Sequence, residues 1–84
     1  SWLVKSNAET GEGYSDISIQ TPDRVGMVIE LKYADDGNLE AACREALRQN
    51  EEKKYAEGLK RRGAKKIIKY GIAFCEKECM VVMV

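Results

Sequence analysis

Apolar residues recur along the chain in five segments with the length and pattern of β-strands. The segments are residues 2–6, 14–21, 26–33, 66–74 and 79–84. In the second segment Ile17 and Ile19 alternate with polar residues, the period of two typical of a half-buried strand. The third is almost wholly apolar, which predicts a central strand covered on both faces. Gly71 weakens the middle of the fourth segment, and the uncharged last segment is typical of an aggregation-prone edge strand.

A different spacing, of three and four residues, predicts helix after Asn38, which is the expected N-cap. One stripe of this helix consists of Leu39, Ala42, Cys43, Ala46 and Asn50. Tyr55 and Leu59 form a second stripe on nearly the opposite side, so the helix is expected to break near residues 51–54. A shorter second helix then ends at Gly63. Turns are predicted at residues 7–13 and 22–24, and the short turn at residues 22–24 makes the second and third strands an antiparallel hairpin. The predicted order is β-β-β-α-(α)-β-β.

Composition limits the possible functions. The 84 residues allow one domain, residues 1–84, and 14 basic against 14 acidic side chains exclude a polycation that coats nucleic acid by charge alone. The absence of histidine excludes every mechanism and metal site built on imidazole. Three cysteines, an odd number, indicate a reducing compartment and a cytoplasmic location. No apolar run approaches the length of about 20 residues that a membrane-spanning helix needs.

Charge is unevenly distributed along the chain. Residues 1–59 carry 7 basic and 12 acidic side chains, a net charge of −5, whereas residues 60–84 carry 7 basic and 2 acidic, a net charge of +5. The basic excess lies in Lys60, Arg61, Arg62, Lys65, Lys66 and Lys69. This group is either a solvated helix end, where cations complement the helix dipole, or a surface that contacts phosphates. Metal binding by some of the acidic residues would account for the acidic part of the chain.

The most informative side chains are Asp16 on the second strand and Glu30 and Lys32 on the third. Glu30 and Lys32 point to the same face, because residues two apart on a strand do so. If the hairpin brings Asp16 beside Glu30, two carboxylates converge next to an ammonium group, and hard oxygen ligands suit Mg²⁺ or Mn²⁺. Such a site can hydrolyse a phosphodiester. The alternative is a cross-strand salt bridge at the edge of a sheet.

These residues resemble the signature of the PD-(D/E)XK nuclease superfamily, in which an aspartate precedes a strand with Glu-x-Lys. Four longer segments, residues 5–13, 26–32, 49–55 and 65–74, are similar to one branch of it. In that branch the nuclease-like domain follows an AAA-ATPase-like domain in prokaryotic proteins. The resemblance covers roughly residues 4–75. It implies an α/β restriction-endonuclease-like core with a mixed sheet, and a fused or associated AAA-ATPase-like domain as a partner.

The resemblance also implies roles for individual residues. Asp16 and Glu30 would be the ligands of Mg²⁺ or Mn²⁺, and Lys32 would activate the attacking water and stabilise charge. Gln49 matches a glutamine that related nucleases carry near the site, and Glu9 matches a loop acid. The basic group of residues 60–69 would hold the DNA backbone.

Tyr55 follows Gln49 at a distance of six residues rather than four, and packing against Leu59 is the favoured interpretation of it. Tyr14 stands where the branch usually has an arginine and Ser15 where it has a tyrosine, and loss of the arginine would weaken substrate binding if it contacts phosphate.

The resemblance implies one further feature, a helix before the first strand, which this sequence lacks. The chain is therefore expected to be a fragment or a minimal version of the domain, with one apolar face of the sheet uncovered. We therefore expect the chain to form a homodimer that covers this face. The leading hypothesis is a metal-dependent nuclease that hydrolyses DNA, with RNA as the other substrate class. The alternative is a catalytically inactive nucleic-acid-binding or regulatory module on the same fold.

Overall fold

The chain folds as a five-stranded sheet with two helices on one of its faces, in a computed structural model that describes residues 2–9, 14–53 and 55–84. The strands are β1 (Leu3–Glu9), β2 (Tyr14–Gln20), β3 (Val25–Tyr33), β4 (Lys66–Cys75) and β5 (Glu78–Met83). The helices are α1 (Leu39–Lys53) and α2 (Tyr55–Arg61).

The strands lie side by side in the order of the chain. Only β3 and β4 pair in parallel, and the other three pairs are antiparallel. A parallel pair needs a crossover connection, which α1 and α2 supply. The predicted order and the mixed sheet are confirmed, and they are consistent with a restriction-endonuclease-like fold. One boundary is wrong: residues 7–9 were assigned to a turn, but they continue β1 because they pair with residues 14–16 of β2.

The helix boundaries follow the local sequence signals. Asn38 caps α1 as predicted, since its side-chain oxygen accepts a hydrogen bond from the Ala41 amide at 3.1 Å. The prediction of two helices is confirmed, with α1 ending at Lys53 and α2 beginning at Tyr55. After α2, Gly63 adopts a φ of 98°, and the amide of the next residue bonds to the carbonyl of Leu59 at 3.0 Å. This arrangement is a Schellman motif, which favours glycine because of its positive φ.

Both helices pack on the same face of the sheet, α1 against β3, β4 and β5, and α2 mainly against β3. The buried apolar residues are Val28, Ala34, Ala42, Cys43, Ala46, Leu59 and Ala73. The prediction that β3 is covered on both faces is wrong. Its residues alternate between buried and half-buried, because no described helix lies on the other face.

The second face of the sheet is apolar and partly open to solvent. Ile17 and Ile19 of β2 lie on it, since they pair with Ile29 and Met27 of β3. All four are only half-buried. The residues of β2 that face the helices are instead the polar ones, beginning with Asp16. The sheet therefore directs its acidic residues, rather than the isoleucines of β2, toward the covering helices.

Candidate active site

Two carboxylates face each other on the covered side of the sheet. Asp16 of β2 and Glu30 of β3 are direct cross-strand partners, which places their side chains on the same face. Asp16 is 3% exposed and Glu30 is 0% exposed. Burying a carboxylate is costly unless it is paired, hydrogen-bonded or bound to a metal. The condition set in the sequence analysis, that the hairpin brings Asp16 beside Glu30, is met.

A cationic side chain lies next along the same face. Lys32 is two residues after Glu30 on β3, and its neighbours in register are Tyr14 on β2 and Ala73 on β4. Its side chain is half-buried, in contrast to the two carboxylates. The covered face of the β2–β3 hairpin therefore carries the two carboxylates side by side, with the ammonium group next along β3.

Tyr55 contacts one of the two acids directly. It is the first residue of α2, and its hydroxyl donates a hydrogen bond to the Asp16 Oδ2 at 2.8 Å. Packing of Tyr55 against Leu59 was the favoured interpretation, so the contact with Asp16 was missed. Leu59 is buried one turn later on α2, where its side chain approaches Gly26. The similarity of residues 49–55 to the nuclease branch was the signal that could have identified Tyr55.

The α1 helix contributes a buried amide that sequence reasoning placed only on an apolar stripe. Asn50 is 2% exposed, and its Nδ2 donates to the Val28 carbonyl at 3.0 Å and the Tyr70 carbonyl at 3.3 Å. It thereby ties α1 to both strands of the parallel pair, next to Glu30. Gln49, the predicted site residue, precedes Asn50 on α1 and is half-buried.

Close approach of α1 to the sheet depends on Gly71 of β4, which is in register with Glu30. A Cβ atom at this position would lie 2.7 Å from the Cys43 carbonyl oxygen and 2.8 Å from Leu47 Cγ. Gly71, which was predicted to weaken the middle of the strand, is therefore required by the packing of α1. The backbone of α1 lies directly over the strand that neighbours the acidic pair.

Glu9, the predicted loop acid, belongs to β1 in the structure, where its backbone pairs with Tyr14. Its neighbour on β1 at a distance of two residues, Asn7, is the cross-strand partner of Asp16. The side chain of Glu9 lies outside the described part of the chain.

The predicted basic group does not surround the acidic pair. Lys60 and Arg61 lie at the end of α2, Arg62 and Lys65 follow it, and all four are exposed. Lys66 pairs with Val25, five residues before Glu30, which corresponds to about 16 Å along the strand.

Lys69 is separate from the rest of this group. Its Nζ lies 3.0 Å from both carboxylate oxygens of Glu51 on α1. This ion pair connects β4 to α1. It engages the Lys69 ammonium group, which was predicted to contact nucleic acid.

The acidic pair has the donor chemistry of a magnesium site. Among the residues that the structure describes, no cluster of three or more His, Cys, Asp or Glu side chains is suited to a metal ion. Mg²⁺ needs fewer, because it keeps several waters and takes one or two carboxylates together with substrate phosphates. Asp16 and Glu30 together meet that requirement, whereas Zn²⁺ would need more protein ligands.

Comparison with known proteins agrees with this geometry. The family model of the PD-(D/E)XK nuclease superfamily matches residues 1–84. No curated protein and no solved structure matches the chain. The family match extends over all 84 residues, a range that contains Asp16, Glu30 and Lys32. The chain belongs to the PD-(D/E)XK nuclease superfamily.

Proposed function

We propose that this chain is a metal-dependent nuclease domain that hydrolyses phosphodiester bonds of DNA, with RNA as the other substrate class. The observation that carries the proposal is the cross-strand pair of Asp16 and Glu30, with Lys32 on the same face. Membership of a nuclease superfamily supports a nucleic-acid substrate and a divalent metal ion. A structural salt bridge alone would not need two carboxylates buried side by side.

The residues of the site have distinct roles in this proposal. Asp16 and Glu30 would hold Mg²⁺ or Mn²⁺, which when bound lowers the pKa of water and neutralises charge on the phosphate. The Lys32 ammonium group orients the attacking water and stabilises negative charge that develops on the phosphoryl oxygens. Tyr55 holds the Asp16 carboxylate in one orientation through its hydroxyl. Gln49 remains a candidate for contact with the substrate.

The second candidate function is a catalytically inactive nucleic-acid-binding or regulatory module. The burial of both carboxylates favours it, because a substrate phosphate has to reach the ion that they hold. In that case the acidic pair is a remnant of a lost metal site, and the exposed basic residues near the end of α2 bind the nucleic acid. The two candidates differ in whether divalent metal and Glu30 are needed for an activity.

Partners and location form part of the same proposal. The apolar residues left half-exposed on the open face of the sheet support a homodimer. Similarity to the branch that follows AAA-ATPase-like domains supports such a domain as a fused or associated partner. The free state of Cys43, Cys75 and Cys79 supports a reducing, cytoplasmic location. In the described part of the chain, no helix is both long and apolar enough to cross a membrane.

A cleavage assay separates the two candidate functions. Labelled single-stranded, duplex and branched DNA, and a matched RNA, are incubated with the protein in Mg²⁺ or Mn²⁺. EDTA and the Glu30→Ala variant are the negative controls, and Glu76→Ala is a matched control because Glu76 is an exposed acid in the β4–β5 turn. We expect cleavage that EDTA and Glu30→Ala abolish and Glu76→Ala leaves unchanged. Absence of cleavage combined with metal-independent binding would support the inactive module.

A further inference from the structure

A second concave feature lies on the same face of the sheet as the acidic pair. It is a cavity of about 260 Å³ lined by Val4, Lys5, Ser18, Gln20, Leu59 and Arg62. Ser18 and Gln20 follow Asp16 along β2 at steps of two residues, so all three share one face. At about 3.3 Å per residue, Ser18 and Gln20 lie about 7 and 13 Å from Asp16. The cavity therefore continues the line of the candidate active site along β2.

Two cations come to this cavity from different elements. Lys5 belongs to β1 and is the cross-strand partner of Ser18. Arg62 follows α2, and its backbone carbonyl accepts a hydrogen bond from Gln20 Nε2 at 3.1 Å. That bond fixes the end of α2 to β2 and places Arg62 at the cavity. None of the described residues that line it is acidic, and Leu59 provides a buried apolar wall.

The opposite end of the site has the reverse charge. A cavity of about 280 Å³ is lined by Lys32 and by residues of the loop that leads into α1, including Asp35 and Asp36. These two acids would repel the phosphates of a nucleic-acid strand. Charge therefore gives the site a direction, with cations at the Gln20 end and acids at the end beyond Lys32.

We propose that the cavity between Lys5 and Arg62 is a subsite for the phosphodiester backbone of the substrate strand, on one side of the bond that is cut. This inference rests on the proposed nuclease function. The strand passes from the acidic pair along β2 toward Arg62, and it does not extend over Asp35 and Asp36. Lys5 and Arg62 bind a phosphate, and Leu59 contacts the adjoining sugar or base.

The size of the cavity and its distance from the acidic pair define what it accepts. Its volume of about 260 Å³ is below the roughly 300–1,000 Å³ of pockets that enclose drug-sized ligands. It therefore suits one nucleotide unit rather than a duplex segment. A strand of duplex DNA carries one phosphate per about 3.4 Å of axis, and successive phosphates lie further apart than this rise because the strand winds around the axis, so 13 Å corresponds to at most about four steps, and to fewer in an extended single strand. The bound phosphate is thus two to four nucleotides from the scissile bond.

The first test measures how salt affects the binding of a labelled single-stranded oligonucleotide to the double variant Lys5→Ala, Arg62→Ala. The matched control is Arg44→Ala, Lys77→Ala, which removes the same charges from α1 and from the β4–β5 turn. Each lost phosphate contact reduces the slope of log K against log salt by about 0.7 for a single strand, so loss of the one phosphate that Lys5 and Arg62 share reduces it by about 0.7. The control variant should keep the slope of the unaltered chain. Equal slopes in the two double variants would overturn the subsite.

The second test locates the contact on the DNA. A neutral methylphosphonate linkage is placed at each position of a short oligonucleotide in turn. For the unaltered chain, we expect weaker binding from a substitution two to four linkages from the cleavage position, on one side only. The double variant Lys5→Ala, Arg62→Ala should lose that sensitivity, because the two changes remove the same contact. Sensitivity that persists in the variant, or that is equal on both sides, would overturn the proposal.

Failure of the subsite and failure of the nuclease function give different results. If the unaltered chain binds the oligonucleotide with the predicted slope difference but cuts nothing, the nuclease proposal fails and the phosphate subsite stands. In that case the methylphosphonate positions are counted from the end of the bound oligonucleotide. If the chain cuts DNA and the double variant binds and cuts like the Arg44, Lys77 control, the subsite fails and the nuclease stands. No binding by the unaltered chain would overturn both.

Discussion

Replacing Gly71 with alanine tests the close packing of α1 on the sheet beside the acidic pair. The added Cβ would lie 2.7 Å from the Cys43 carbonyl oxygen and 2.8 Å from Leu47 Cγ. A carbon and a carbonyl oxygen in contact are normally about 3.3–3.6 Å apart. The backbone of α1 would therefore have to move away from β4 by roughly 0.6–0.9 Å, because a backbone carbonyl cannot change rotamer to avoid the clash.

The expected cost is that of overpacking a well-filled interior, about 1–3 kcal/mol in the free energy of unfolding. For a chain of this size, each kcal/mol lowers the melting temperature by about 4–8 °C. Gly58→Ala is the matched control, because Gly58 lies inside α2 and a Cβ atom there would meet nothing within 4 Å. That substitution should stabilise the protein by up to about 1 kcal/mol, since alanine is the better helix former.

The assay is equilibrium unfolding in urea, followed by circular dichroism, for the unaltered chain and the two variants. We expect Gly71→Ala to lower the free energy of unfolding and Gly58→Ala to raise it. The slope of that free energy against urea concentration should be unchanged in both variants. If Gly71→Ala were as stable as the unaltered chain, α1 would not pack against β4 as closely as described. Glycine would then not be required at position 71.

Three further predictions concern single contacts. Tyr55→Phe removes the hydrogen bond to the buried Asp16 carboxylate and should lower the free energy of unfolding by about 1.5–3 kcal/mol; no loss in urea unfolding would contradict the contact. Asn38→Ala removes the cap of α1 and should lower the free energy of unfolding in urea by about 1 kcal/mol, whereas Asn38→Asp should retain most of the stability that the cap provides. Charge repulsion and a hydrogen bond from the Cys75 side chain raise the pKa of Tyr33 above its ordinary value of 10.0, so a ¹³C NMR titration should show the Tyr33 hydroxyl ionising at higher pH in the unaltered chain than in Cys75→Ala. Because that pKa is raised in the folded state, the associated stability is present below pH 10 and is lost as pH rises through the folded value; identical titrations would refute the contact.

Local patterns in the sequence were sufficient for the elements of this fold. The alternation in β2, the cap at Asn38 and the opposed stripes of the two helices each depend on neighbours within a few residues. They predicted the element order and the division into two helices. The pairing of Asp16 with Glu30 was only a condition in the sequence, and the register of the short hairpin meets it.

Features that depend on distant parts of the chain could not be predicted in the same way. The Tyr55 hydroxyl reaches Asp16 across 39 positions of sequence, and this contact depends on how α2 is seated on the sheet. The burial of Asn50 and the need for glycine at position 71 likewise arise where α1 meets β3 and β4. The one-sided cover of β3 was missed because an apolar run does not show which of its faces is packed.

The most direct test of the account is whether Asp16 and Glu30 form one site for a divalent cation. Mn²⁺ binding is measured by electron paramagnetic resonance in the unaltered chain, in Asp16→Asn, in Glu30→Gln and in the control Glu76→Gln. Circular dichroism confirms that each variant is folded. We expect one bound Mn²⁺ per chain that Mg²⁺ displaces. Asp16→Asn and Glu30→Gln should each lose it, and Glu76→Gln should retain it. Binding that persists in both Asp16→Asn and Glu30→Gln, or no binding by the unaltered chain, would contradict it.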